Sequence, residues 1–102
     1  MSDRGLVREI SAHARPNDAQ YLNTIARWER WCLEHGEDPL PSNETVVLRY
    51  LHSHFGDWRP EYVRAIVNQL NRMHRLAGHG RLTGARTTKY IQALRRVVGP
   101  PP

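Results

Sequence analysis

A chain of 102 residues with 39% hydrophobic content suffices for one modest core and is too short for a second domain. Its single cysteine, Cys32, excludes an internal disulfide, and no apolar run approaches the length needed to cross a membrane. The formal net charge of +5 is unevenly placed: residues 1–51 hold six Arg against eight Asp or Glu, whereas residues 52–102 hold nine Arg or Lys against two acids, a net of +7.

The start, Met1-Ser2-Asp3-Arg4, lacks the apolar core of a signal peptide, so a cytoplasmic location is expected. Residues 1–16 read as an arm or a short helix, with Leu6, Val7 and Ile10 inward over Leu6–Ala14 and Pro16 ending it. Asn17 suits a helix cap, with Gln20 three residues on as its capping-box partner. A first long helix follows from about Asp18 to His35. Its stripe of Tyr21, Ile25, Trp28 and Cys32, at steps of four, three and four, keeps one face apolar. Gly36 supplies the left-handed residue that stops it, and Pro39 and Pro41 prevent a restart.

Ser42 or Asn43 caps a second helix, where Val46, Val47, Tyr50, Leu51 and Phe55 fall on one face and Gly56-Asp57 breaks the run. Pro60 suits the first turn of a third, whose stripe is Val63, Ile66, Val67, Leu70 and Met73; Gly78 and Gly80 end it. Thr83 or Thr87 caps a fourth, with Tyr90, Ile91, Leu94, Val97 and Val98 inward and Lys89, Arg95 and Arg96 outward. Gly99-Pro100-Pro101-Pro102 cannot continue a helix and reads as a tail or the start of a linker. No β-alternation and no internal repeat is visible, so the expected fold is all-α, a bundle of four main helices over residues 17–98.

Taken in order, Trp28, Trp31-Cys32, Gly36, Leu40-Pro41, Tyr50-Leu51, and Gln69-Leu70-Asn71-Arg72-Met73-His74 before Gly78 resemble the core-binding domain of the tyrosine recombinases, or phage-type integrases. The resemblance spans roughly Asn17 to Arg96. It implies a SAM-like helical bundle that binds double-stranded DNA in site-specific recombination and integration. A separate catalytic domain would complete the clamp around the site. The chain stops at Pro102, so the family's catalytic arginine, His-x-x-Arg and nucleophilic tyrosine have no place here. It is expected to bind rather than cut, as a fragment, a truncated product or a stand-alone binder.

The side chains beside the stripes carry the DNA expectation. Gln20, Asn23, Arg27 and Arg30 line one edge of the first helix at steps of three, four and three. On the third helix Ala65, Gln69 and Arg72 form a similar edge, with Arg59 and Arg64 near its start, although Glu61 interrupts it. In the resembled family the matching helices lie against DNA. Gln and Asn can read adenine and Arg can read guanine, while the remaining arginines hold phosphate. Arg86 and Lys89 on the fourth helix are further phosphate candidates, and the family's last helix often packs on a neighbouring subunit. The bland reading of all these residues is a solvated polar surface. Two other functions compete: a regulatory DNA-binding module without recombinase activity, and a helical protein-interaction module whose DNA affinity would ignore Arg27 and Arg72.

No metal, cofactor or small-molecule substrate is expected. His52 with His54, and His74 with His79, lack a carboxylate or thiolate at ligand spacing, and His74 is better placed as a hydrogen-bonded, half-buried residue. Cys32 falls in the core stripe, where a thiol acts as a small hydrophobe. Trp28 and Trp31 are expected to pack the core rather than to stack on bases.

Overall fold

The computed structural model describes residues 19–98, which form four helices and no strand: α1 (Ala19–Glu34), α2 (Glu44–Ser53), α3 (Pro60–Leu76) and α4 (Ala85–Val98). The Leu6–Ala14 helix, the Asn17 cap and the Pro-rich tail lie outside the described residues. No described helix is long and apolar enough to cross a membrane.

The α1 stripe is buried as its spacing requires: Tyr21, Ile25, Trp28 and Cys32 are at most 1% exposed. Gly36 takes φ 71°, which lets the Glu37 N–H reach back to the Cys32 carbonyl (2.8 Å) and close the helix end. The Trp28 indole N–H donates to the Pro39 carbonyl (2.9 Å), fixing the loop so that Leu40 fills the core. Asn43 caps α2, its side-chain oxygen accepting from the Val46 N–H (3.1 Å). Val46, Val47, Tyr50 and Leu51 are buried, and Tyr50 meets Trp28 edge to face at 5.2 Å.

Phe55 departs from expectation. α2 ends at Ser53, so the helical spacing that would have carried Phe55 inward no longer applies, and its ring is 57% exposed. α3 starts at Pro60 and buries Val63, Ile66, Val67, Leu70 and Met73. It closes as α1 does, with Gly78 at φ 83° and the His79 N–H donating to the His74 carbonyl (3.0 Å).

The start of α4 also corrects the sequence reading. Neither Thr83 nor Thr87 is its cap: Thr83 is buried in the preceding loop, and Thr87 already lies inside the helix. The cap comes from α2 instead. One oxygen of the Glu44 carboxylate accepts from the Gly84 N–H (2.6 Å), the Thr87 N–H (3.0 Å) and the Thr87 hydroxyl (2.9 Å). Burial is the largest single influence on this carboxyl and raises its pKa. The hydrogen bonds from Thr87 and Gly84, with the Arg86 charge, outweigh it and hold the group below its ordinary 4.5. Ile91 and Leu94 are buried, whereas Val97 and Val98, expected inward, sit in the exposed last turn. α3 packs on both α1 and α4, and α2 packs on α4.

Candidate nucleic-acid interface

Two contacts define how α1 and α3 lie together. The Arg27 guanidinium donates to the Tyr62 hydroxyl (3.1 Å), and the Arg72 guanidinium lies 4.3 Å from the Tyr21 ring centre. Moving forward from Tyr21 to Arg27 therefore moves backward from Arg72 to Tyr62, so the helices are antiparallel. Residues seven apart share a helix face. Gln20 accordingly sits with Arg27, and Gln69 sits with Tyr62. The face marked by the Arg27–Tyr62 bond thus carries Gln20, Arg27 and Gln69, with Arg72 one turn beyond Gln69.

Exposure on this face suits polar recognition. Gln20, Asn23, Arg27 and Arg30 are exposed, while Ala65, Gln69 and Arg72 are half-buried. The ring of Tyr21 orients the Arg72 guanidinium, a planar cation that stacks well on an aromatic face. Beside them, Arg27 and Arg30 rim a shallow hollow of about 230 Å³ lined by Trp31, Tyr50, His54 and Trp58. The His54 ring stacks on Trp58 at 3.8 Å, and its pKa is lowered, chiefly by burial, with Asp57 opposing. Trp31 is half-buried and stacks on His35 (4.2 Å), so it packs against the core without lying within it.

The remaining expected contacts disperse. Arg64 precedes Gln69 by five residues, about 140° around the helix at 3.6 residues per turn. It faces the groove between α3 and α4 and does not share the Gln69 edge. Arg59 precedes α3 as its cap residue, exposed and making no side-chain cap bond, and Glu61 is exposed in the first turn. Arg86 donates to the Thr45 hydroxyl (3.0 Å), tying α4 to α2, and Lys89 is exposed on α4.

A second arginine cluster was not visible in the sequence as one. Arg64, Arg81 and Arg95, far apart in the chain, line the same groove because Asn71 fixes the loop that carries Arg81. The Asn71 side-chain oxygen accepts from the Leu82 and Thr83 N–H groups (2.9 and 3.0 Å), and its amide donates to the Thr83 hydroxyl (2.8 Å).

His74 is buried and hydrogen-bonded. Its Nε2 accepts from the Ser42 N–H (3.1 Å), which leaves the proton on Nδ1, facing the Gly80 carbonyl (3.3 Å). Burial is the main cause of its lowered pKa, so the ring is neutral at pH 7. Burial, with the charges of Glu37, Asp38 and Glu29, pushes the Cys32 thiol up to about 12, well away from a reactive thiolate. Among the described residues no group of three or more His, Cys, Asp or Glu converges to hold a metal ion. Comparison with family models, with curated proteins and with solved structures finds no match.

Proposed function

We propose that this chain binds double-stranded DNA as the core-binding module of a tyrosine recombinase or integrase, in the cytoplasm, with the chemistry of strand exchange residing in a separate catalytic domain. The reading rests on the sequence resemblance together with one structural observation: α1 and α3 pack antiparallel so that Gln20, Arg27, Gln69 and Arg72 share a side. Amides that pair with base edges and guanidinium groups that hold guanine or phosphate are what major-groove recognition requires. Arg64 drops out of this surface, and Arg86 would have to leave Thr45 to join it.

The test is amide chemical-shift mapping with a random-sequence duplex. Perturbations concentrated along Gln20, Asn23, Arg27, Ala65, Gln69 and Arg72 are expected. Shifts confined to the far ends of α2 and α4, or none at all, would overturn the assignment. A second reading has an observation of its own. Exposed Phe55 and Val97, with His52, Tyr90, Ala93 and Leu94, form an apolar hollow of about 310 Å³. Such a surface favours a protein partner, either a neighbouring recombinase subunit or the target of a helical interaction module. In the latter case DNA affinity would be indifferent to Arg27 and Arg72.

A further inference from the structure

The groove between α3 and α4 gathers three arginines from separate parts of the chain. Its volume is about 280 Å³, and Arg64 from α3, Arg95 from α4 and Arg81 from the connecting loop all line it. Neutral donors accompany them: Asn68 on α3, and Thr88 and Gln92 on α4. Buried Val67 and Ile91 also line the groove, so charges there meet a medium less polarisable than bulk water.

Three observations set this cluster apart from scattered surface arginines. Among the described residues, none that lines the groove is acidic, and the chain contains no Asp or Glu after Glu61. Three guanidinium groups around one hollow therefore repel one another with no carboxylate in the lining to offset it. Both walls are also fixed: Asn71 clamps the Arg81 loop onto α3 through three hydrogen bonds, and Glu44 holds the start of α4 through three more. Finally, Arg64 lies about 140° around α3 from Gln69, so the groove is distinct from the α1–α3 edge.

We propose that this groove binds a phosphoryl group, held by the forked donors of Arg64, Arg81 and Arg95 with Asn68, Thr88 and Gln92 completing the hydrogen bonds. A backbone phosphodiester and a free phosphate ion share this chemistry. The site stands independently of whether the α1–α3 edge engages DNA. Bound phosphate would supply the missing negative charge, so its affinity depends on all three guanidinium groups together.

The experiment is an amide chemical-shift titration at constant ionic strength, with inorganic phosphate replacing chloride, on wild type, Arg81→Gln and the Arg64→Gln, Arg95→Gln double variant. These positions are exposed, and circular dichroism checks that helix content is retained. Saturable shifts at Arg81, Thr88, Gln92 and Arg95 are expected, with affinity at least tenfold weaker in Arg81→Gln and saturation lost in the double variant. The Arg27→Ala, Arg72→Ala variant should respond like wild type, which separates this site from the duplex face. A short random duplex is the second arm: if it shifts the same amides and displaces phosphate, the source is a phosphodiester, and if it leaves them unmoved, the source is free phosphate. No saturable response at these residues to either probe, or a response unchanged in the double variant, would overturn the proposal.

Discussion

Replacing Asn71 by alanine tests how the loop between α3 and α4 is held. The substitution removes an oxygen that accepts from two backbone amides, Leu82 N–H and Thr83 N–H, in residues only 6% exposed. A buried donor left without a partner costs about 1–3 kcal/mol. Partial entry of water from the neighbouring groove moderates the sum, so the expected loss is about 2–4 kcal/mol. That is a large part of the roughly 5–15 kcal/mol that holds a small domain together. With an m-value of about 1 kcal/mol/M in urea, the unfolding midpoint should fall by roughly 2–4 M, read from tryptophan fluorescence, to which buried Trp28 contributes. Asn71→Asp keeps both acceptor contacts, and the Thr83 hydroxyl can turn to donate, so it should retain most of the stability lost in the alanine variant. An alanine variant within about 0.5 kcal/mol of wild type, the range of an ordinary surface change, would show that the loop is not held this way.

Glu44→Ala should cost about 1–2 kcal/mol at pH 7, in the range of a lost helix cap, and urea melts of the pair across pH would measure it. Because the Glu44 carboxyl is held below its ordinary 4.5, this contribution is complete above about pH 4.5, and the two proteins should converge as pH falls through the lowered value. His74 carries a second pH dependence: its folded pKa lies below 6.5, so its share of stability is full above about pH 6.5 and is lost as the pH drops below that. His74→Gln, which keeps an acceptor for the Ser42 N–H, should flatten that slope in thermal melts between pH 7.5 and 5.5, values chosen to bracket about pH 6.5. Leu94→Ala should cost about 2–4 kcal/mol, whereas Val97→Ala, at a position 69% exposed, should stay within about 0.5 kcal/mol.

The helix faces were legible because each stripe is read at one period. Tyr21, Ile25, Trp28 and Cys32 in α1, and Val63, Ile66, Val67, Leu70 and Met73 in α3, are buried where their spacing puts them. Extrapolating that period past a helix end is what misplaced Phe55, and ignoring the exposure of a last turn misplaced Val97 and Val98. Caps made within a few residues were readable to within one position: the sequence offered Ser42 or Asn43 for α2, and Asn43 is the cap. The cap on α4 was not, because its donors at Gly84 and Thr87 find their acceptor on Glu44, about 40 residues earlier, once α2 and α4 have packed. Thr83 looked like a cap by type, but its hydroxyl is taken by Asn71. The separation of Arg64 from Gln69 follows from helical periodicity alone and was available in the sequence. Its meeting with Arg81 and Arg95 was not, since that depends on the path of the loop.

On the proposed reading, Arg27 and Arg72, oriented by Tyr62 and Tyr21 across the α1–α3 pair, present positive charge to a DNA backbone. The most direct test is fluorescence anisotropy on a random duplex across a salt series, for wild type and the Arg27→Ala, Arg72→Ala variant. If both arginines neutralise phosphates, wild-type affinity should fall steeply with salt, and the variant should bind more weakly with a log–log slope shallower by about 1.8, from roughly 0.9 per phosphate. A variant with wild-type affinity and an unchanged slope would show that these arginines do not engage DNA.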